Sequence, residues 1–250
     1  MEIEVIEAPV ADTAEQTEVK YYDAGKDQRF EFVVTEGNAK YDTAHVFGPI
    51  GDERWMQFLR DQKVRGNGEK IESNEVEAID GLWNDLIRSV ENIDTDGRAL
   101  HEVIDYAEKK DALETYIAVA AFDPETAASG PRRPGMVQAR TVITEAYQDG
   151  AVLQQFHTLR KKTLEDIKRY ESILRRRLKQ ENVRGLRRSA EITFVPQDDK
   201  LAKLYDDMKI EVKGFAVPYN FQDNGTDGIP MRFKVAVVHH VFASDLDEKK

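Results

Sequence analysis

Charged and apolar residues alternate near the start of the sequence, a pattern typical of β-strands. The alternation runs over residues 29–35 and ends in two valines and a threonine. Turn-forming residues follow at 36–38, and a second extended segment is predicted over residues 40–47. The sequence therefore predicts two neighbouring strands joined by a short turn.

Apolar residues next recur every three or four positions, which predicts helices. Asp52 follows a Gly-Pro-Ile-Gly break and stands where a helix begins, and four large apolar residues lie within the next seven positions. Ser73 and Asn74 can cap a second helix, and a third helix is predicted over residues 98–121. This part of the chain is thus predicted to be mainly helical.

The centre of the chain combines a loop signal with a long helical signal. Residues 123–135 contain three prolines and two glycines, which predicts a linker or exposed loop. A helix is predicted over residues 138–147, and one long helix over residues 151–183. The apolar stripe of the long helix has spacings of three and four, at Phe156, Leu159, Thr163, Ile167, Tyr170, Leu174 and Leu178. Its eleven-residue recurrence keeps one narrow stripe aligned, as in a coiled-coil-like helix.

Strand patterns return in the last third of the chain. Strands are predicted over residues 190–195 and 209–217, and the clearest strand pattern covers residues 231–242. A short helical turn is predicted around residues 201–205. The fold class is therefore predicted as α+β: one mostly antiparallel sheet or small sandwich built from strands near both ends, with a helical region between them.

These elements divide the chain into five predicted segments. They are a flexible acidic arm (1–22), a strand-plus-helix region (23–122), a linker (123–135), the long basic helix (136–188) and a β-rich region (189–250). The arm has six acidic residues and one lysine. Two roles remain open for it: loose association with its own subunit, or docking on a neighbouring subunit against the basic helix.

The amino-acid composition limits the kinds of protein and of chemical site that this chain can form. Hydrophobic residues make up 40% of the 250 residues, which is enough for a core. The absence of cysteine excludes disulfides, thiolate catalysis and cysteine-ligated metals. The acidic start does not resemble a secretory signal, and no apolar run is long enough to cross a membrane. We therefore expect a cytoplasmic protein, or one assembled into a particle, with no membrane partner.

Charge is distributed unevenly along the chain. The net charge is −11, yet residues 151–188 contain twelve basic and four acidic residues. Three environments are open for this basic segment: the acidic remainder of this chain or of another copy, a nucleic acid, or solvent around an ordinary bundle helix. The candidate interaction residues are Arg160, Lys161, Lys162, Lys168, Arg169, Arg175, Arg176, Arg177, Arg187 and Arg188.

Motifs that carry chemistry are incomplete in this sequence. His101-Glu102 resembles the start of a zinc signature, but Asp105 stands where the second histidine is required. The glycines near Arg65 lack the lysine and hydroxyl residue of a phosphate-binding loop, and residues 223–228 lack the spacing of a calcium-binding loop. The sequence thus predicts no catalytic residue, cofactor or metal, and a protein that is not an enzyme.

A short segment resembles a known class of proteins. Residues 47–59 combine a glycine-proline turn, the sequence Asp52-Glu53-Arg54 and an aromatic helix, and they resemble a stretch found in bacteriophage tail and virion-assembly proteins. The resemblance implies a structural subunit and no catalytic residue. The leading prediction is a non-enzymatic assembly subunit in multiple copies. The alternatives are a nucleic-acid adaptor that uses the basic helix, and an enzyme whose site is not visible in the sequence.

Overall fold

The computed structural model describes residues 20–36, 39–62, 64–66, 71–93, 96–124, 139–176, 178–181, 191–216 and 228–247. In chain order, the elements are β1 (Gln28–Glu36), β2 (Ala39–Phe47), α1 (Asp52–Asp61), β3 (Val64–Gly66), β4 (Ile71–Ser73), α2 (Glu75–Leu86), β5 (Ile87–Glu91), α3 (Leu100–Val103), α4 (Tyr106–Ile117), β6 (Ala120–Phe122), β7 (Ala139–Gln148), β8 (Ala151–Arg160), α5 (Leu164–Arg176), β9 (Leu178–Glu181), β10 (Glu191–Phe194), α6 (Asp198–Met208), β11 (Lys209–Lys213) and α7 (Met231–Asp247).

The first half of the chain forms an antiparallel sheet covered by helices. The sheet has the strand order β1-β2-β5, and α2 packs against both α1 and α4. Helix α2 buries its apolar residues at helical spacing, among them Ile79, Leu82 and Trp83. The rings of Phe47 and Tyr116 stack with centroids 5.3 Å apart. These side chains form the first core, together with those of α1 and α4.

The second half is built on a β-hairpin. Strands β7 and β8 pair over their whole length, and the sheet continues on both sides in the order β11-β8-β7-β6. Helix α7 packs on β6 and β7, α6 packs on α7, and α5 packs on α6. The second core therefore lies between one face of this sheet and the three helices. A smaller antiparallel sheet has the order β4-β3-β10-β9.

Two contacts join the halves where α7 begins. The Asp52 carboxylate, at the start of α1, accepts a hydrogen bond of 2.8 Å from the backbone N–H of Met231, the first residue of α7. It thereby satisfies one of the free N–H groups at this helix end. The buried Arg232 guanidinium donates to the hydroxyl of Tyr22 and lies 4.9 Å from the centre of the Tyr116 ring. Tyr22 and Tyr116 come from opposite ends of the first half of the chain.

The α+β fold class is confirmed, but the strands near the two ends of the chain belong to different antiparallel sheets. The N-terminal strands β1 and β2 pair with β5, whereas β11 near the C-terminus pairs with β8. Strand β10 pairs with β3 and β9 in the small sheet. Each half of the chain thus builds its own main sheet because its strands find partners close in sequence.

The predicted long helix over residues 151–183 is also wrong. The stretch contains β8, then α5, then β9. In β8 every second side chain is buried, at Leu153, Gln155, His157 and Leu159. Two of these four are polar, which hid the strand period from an analysis of apolar positions. The predicted stripe holds over α5, where Tyr170 is buried and Ile167 and Leu174 are partly buried against the second core.

The helix predicted over residues 138–147 is strand β7. Asp149 and Gly150 follow it with φ angles of 50° and 80°. An Asp-Gly pair with positive φ at both residues forms a tight hairpin turn whose twist matches that of the strands. This turn places β8 beside β7 and makes a continuous helix impossible.

The strand predicted over residues 231–242 is helix α7, so the segment 189–250 is not mainly β. Its valines favour strands in isolation, but Phe233, Val237 and Val241 recur at helical spacing and are buried. Contacts with α6, β6 and β7 surround the helix with apolar side chains. Tertiary packing thus overrides the β-propensity of the segment.

The remaining predictions have mixed outcomes. The strands at residues 29–47, the helices starting near Asp52 and Glu75, and the helical turn around 201–205 are confirmed as β1, β2, α1, α2 and α6. The third predicted helix is divided into α3 and α4, and its last residues belong to β6. Tyr22 is 1% exposed, so the arm ends before it. Most of the arm and most of the predicted linker lie outside the described residues.

Candidate functional site

The first predicted interaction residues stabilise the start of α5. Arg160 forms two hydrogen bonds of 2.6 and 3.0 Å with the Asp166 carboxylate. Asp166 accepts from the backbone N–H of Thr163 at 2.8 Å, and the Asp166 N–H donates to the Thr163 hydroxyl at 3.2 Å. This reciprocal arrangement is a capping box. The Arg160 hydrogen bonds lower the pKa of Asp166 well below its usual range.

Lys162 also contacts its own subunit. Its amine donates to the backbone carbonyl of Val241 at 2.9 Å and lies 5.6 Å from the centre of the Phe242 ring. Both acceptors belong to α7, so Lys162 ties the start of α5 to the last helix. Lys161 and Lys168, by contrast, are exposed. Lys161 and Lys168 therefore present their charges mainly to solvent.

The other predicted interaction residues have different surroundings. Arg169 on α5 forms an ion pair with Asp207 on α6. Arg175 and Arg176 lie in the last turn of α5, but their side chains are outside the described part of the structure, as are Arg177, Arg187 and Arg188 entirely. The ten residues therefore do not lie along one continuous rod, and the described members divide between internal contacts and solvent.

A cavity of about 280 Å³ lies between α5 and α6. We call it the α5–α6 groove, and its lining residues are Arg169, Ser172, Ile173, Lys200 and Lys203. Ser172 lies three residues after Arg169, and Lys203 three residues after Lys200, so each pair shares one face of its helix. Among the predicted interaction residues whose side chains the structure describes, Arg169 alone lines this groove.

The lining of the groove has three cations, of which one is paired with a nearby acid. Asp206 pairs with the buried Lys234 at 2.8 Å, and Asp207 pairs with Arg169. Lys200 donates to the side-chain carbonyl of Gln197, a neutral acceptor, and Lys203 is exposed. No carboxylate is among the described residues that line the groove. Two lysine charges thus face the groove without a carboxylate partner in the described part of the chain.

Sequence reasoning missed Lys200 and Lys203. They were included in a segment predicted to be mainly β, and they lie outside the basic stretch 151–188. Helical spacing was a partial signal: Lys203 lies opposite the buried Leu201, Leu204 and Tyr205 of α6, whereas Lys200, four positions before Leu204, lies at the border of that face. The pairing of α6 with α5 could not have been inferred from that spacing.

The buried histidines of the structure have structural partners. His45 is fully buried and lies 2.9 Å from the Glu108 carboxylate, while its Nδ1 is 3.4 Å from the Trp83 indole nitrogen. His157 is fully buried between Tyr205 and Thr144, at 2.6 and 2.9 Å. Within the described residues, no group of three or more acidic or histidine side chains is placed to hold a metal ion.

Ionisable groups also gather where α7 begins. Burial raises the pKa of Asp52, although the Met231 N–H and the charges of Lys234 and Arg232 oppose this effect. Burial lowers the pKa of Lys209. Such shifts occur at catalytic sites and in structural networks alike. Here Asp52 caps a helix and Lys234 is paired with Asp206, so the groups are engaged in holding the fold together.

Comparison with known proteins returned no match: no family model, curated protein or solved structure is similar to this chain. The search for a membrane segment gave a negative result for the described helices, all of which are too short or too polar to cross a bilayer. The function must therefore be argued from the α5–α6 groove and from the distribution of charge.

Proposed function

We propose that this protein is a non-enzymatic structural or assembly subunit that binds an acidic protein surface through the α5–α6 groove. The observation that carries the proposal is the groove itself: a concave site between two helices, whose described lining has three cationic side chains and no carboxylate. Cationic sites of this kind favour acidic partners and set their orientation. The chain carries a net charge of −11, so another copy offers such a surface.

The proposal replaces the continuous basic rod with a smaller surface. The cations come from two helices that are held together by the Arg169–Asp207 ion pair. This geometry fixes the relative positions of Arg169, Lys200 and Lys203 before a partner arrives, which reduces the entropy lost on binding. Binding through exposed lysines is screened by salt, so assembly is expected to weaken as ionic strength rises.

The resemblance of residues 47–59 to phage tail and virion-assembly proteins fits an assembly role and stays a prediction. In the structure this segment leads from β2 through a turn into α1, and Phe47 and Phe58 pack in the first core. Its buried aromatic residues thus stabilise the fold, and the acidic partner proposed here is independent of the resemblance.

The test compares two charge-reversal variants with the wild-type protein. The groove variant is Lys200→Glu with Lys203→Glu, and the matched control is Lys161→Glu with Lys168→Glu, which changes the net charge equally at exposed sites outside the groove. Light scattering coupled to gel filtration measures the molar mass at low and high salt, with and without duplex DNA.

We expect the wild-type protein and the control to form species larger than one chain at low salt and to dissociate at high salt. The groove variant is expected to remain monomeric in both. Monomeric wild-type protein at low salt would overturn the proposal. Equal loss of assembly in the control would show that the groove is not the binding surface. A mass increase that requires DNA would support the nucleic-acid adaptor instead.

A further inference from the structure

We infer that the α5–α6 groove is a binding site for inorganic phosphate or a small phosphate monoester, and that this ligand competes with the acidic partner. The competition rests on the proposed function, whereas the binding can be measured without it. The groove has a volume of about 280 Å³ and lies between two packed helices. This volume is at the lower limit of small-molecule sites, and the described lining has no aromatic side chain on which a base could stack. The groove therefore suits one charged group with a short substituent.

The described lining offers hydrogen-bond donors from both walls of the groove. Arg169 and Ser172 come from α5, and Lys200 and Lys203 come from α6. Arginine and lysine side chains can only donate, and no described lining residue has a carbonyl or carboxylate oxygen in its side chain. A ligand must therefore be rich in acceptors. A phosphate group has three strong acceptor oxygens in a tetrahedral arrangement, so it can accept from both helices at once, whereas a carboxylate has two oxygens in one plane.

Charge favours a dianion over a monoanion. The described lining has three positive charges, and Asp207 offsets that of Arg169 through their ion pair. The charges of Lys200 and Lys203 have no carboxylate partner in the described part of the chain. A phosphate monoester has a charge of about −1.5 to −2 at pH 7, which matches these two lysines. One carboxylate would balance only one of them.

Neighbouring side chains hold parts of the site in position before a ligand binds. Lys200 donates to the side-chain carbonyl of the buried Gln197, and Arg169 is paired with Asp207. Ile173 belongs both to the groove lining and to the second core, where it is 4% exposed. The groove is thus built on two helices whose relative position is fixed by the core, which reduces the entropy lost on binding.

The experiment measures binding by titration calorimetry with methyl phosphate as the probe. The full-length wild-type protein is titrated at a salt concentration just high enough to dissociate the assembly, and the ionic strength is held constant. We expect saturable binding of one methyl phosphate per chain at pH 7.5, at least about tenfold tighter than that of acetate. Because the second pKa of a phosphate monoester is about 6, binding is expected to weaken up to about fourfold between pH 7.5 and pH 5.5.

Three full-length variants separate a built site from general attraction by positive charge. Ser172→Ala removes a donor without changing the charge, and it is expected to weaken binding of methyl phosphate about tenfold because a hydrogen bond to a charged group is lost. Lys200→Gln with Lys203→Gln is expected to abolish binding. The matched control, Lys161→Gln with Lys168→Gln, changes the net charge equally and is expected to bind as the wild-type protein does.

Two results of the titrations would overturn the inference. One is that methyl phosphate binds no more tightly than acetate does. The other is that Ser172→Ala binds like the wild-type protein, or that the control loses as much affinity as the variant of Lys200 and Lys203. Either outcome of the second kind would mean that the dianion is attracted by net charge and not by the groove.

Competition is tested at low salt by light scattering. Methyl phosphate that replaces chloride at constant ionic strength is expected to dissociate the wild-type assembly, whereas acetate is not. An assembly that persists although the ligand binds would overturn the competition. A wild-type protein that is monomeric at low salt but binds methyl phosphate would overturn the proposed function and support the binding site. An assembly without phosphate binding would overturn this inference alone.

Discussion

At the scale of single residues, a series of buried polar side chains around His157 is linked by hydrogen bonds. The Tyr205 hydroxyl donates to His157 Nδ1, and the other ring nitrogen donates to the Thr144 hydroxyl. Thr144 donates in turn to Gln155, whose amide donates to the Leu153 carbonyl at 2.9 Å. One direction of donation therefore satisfies every member while His157 stays neutral.

This arrangement predicts that stability falls in mild acid. Burial lowers the pKa of His157 to about 4, whereas an unfolded histidine titrates near 6.5. Between these values the unfolded chain binds a proton that the folded protein does not. Stability from this site is thus complete above pH 6.5 and is lost as the pH falls toward 4. Denaturant unfolding should show a loss of about 2 kcal/mol between pH 7 and pH 5.

The variant His157→Asn separates this effect from the titration of carboxylates. It is expected to be less stable at pH 7, because the hydrogen-bonded chain is interrupted, but to lose less stability on acidification than the wild-type protein does. An identical loss in both proteins between pH 7 and pH 5 would mean that His157 is not the group responsible.

Two buried lysines are stabilised by pairing with carboxylates and by nearby aromatic rings. Lys109 and Lys234 are both buried, and each amine pairs with an aspartate at 3.0 and 2.8 Å, respectively. Each also lies near an aromatic ring, that of Trp83 for Lys109 and that of Tyr205 for Lys234. A partly exposed carboxylate and a ring face together offset the loss of water around the charge.

At the scale of elements, the predictions succeeded where the apolar period was clear. Helices α1 and α2 and strands β1 and β2 were predicted because their apolar residues follow one period without polar interruptions. Strand β8 was not, because Gln155 and His157 occupy inward positions. Helix α7 was not, because its valines favour a strand until α6 and the sheet surround it. The pair Asp149-Gly150 was a local signal of a hairpin turn, which the prediction of a helix on each side of it did not use.

Replacing a glycine by alanine is expected to have opposite effects at two positions, one in that turn and one in a helix. Gly150 has a φ of 80°, which alanine adopts only with strain, so Gly150→Ala is expected to lower the free energy of unfolding by about 1 kcal/mol. Gly81 lies inside α2, and a Cβ there would be 3.9 Å from its nearest neighbour, Arg54. Gly81→Ala is therefore expected to raise the same quantity by up to about 1 kcal/mol.

Thermal or denaturant unfolding of both variants checks the assignment of the turn. Stabilisation by Gly150→Ala would contradict a left-handed backbone at that position.

Only part of the α5–α6 groove could be predicted from local sequence patterns. Arg169 lay in the basic stretch, but Lys200 and Lys203 join it only through the packing of α5 on α6, and no local pattern encodes that packing.

At the scale of the whole molecule, buried polar contacts join the two halves, beside the contact between the rings of Phe30 and Tyr147, whose centroids are 5.1 Å apart. Gln28 and Arg232 both donate to the Tyr22 hydroxyl. The Tyr116 hydroxyl donates to the Gly48 carbonyl at 3.0 Å, and the Arg232 guanidinium lies over the Tyr116 ring. These groups are buried, so separating the cores would leave several of them without hydrogen-bond partners. The halves are therefore expected to unfold together.

The tryptophans allow a direct measurement of this coupling. Both tryptophans of the chain, Trp55 and Trp83, pack in the first core, whereas Leu204 is fully buried in the second. Leu204→Ala is expected to lower the free energy of unfolding by about 2–5 kcal/mol. With coupled cores, the tryptophan fluorescence midpoint shifts as much as the midpoint seen by circular dichroism. An unchanged fluorescence midpoint would show that the cores unfold independently.

The hydrogen bond between Asp52 and the Met231 N–H has a consequence for biosynthesis. Its two residues are 179 positions apart, so at typical translation rates the ribosome makes Asp52 roughly 10–35 s before Met231. During that interval the Asp52 carboxylate lacks the helix that it caps in the finished protein. Because the halves are coupled, the first half is expected to reach its final stability only after the last helix has been made, so a stall in translation between these positions would prolong the time in which it is incomplete.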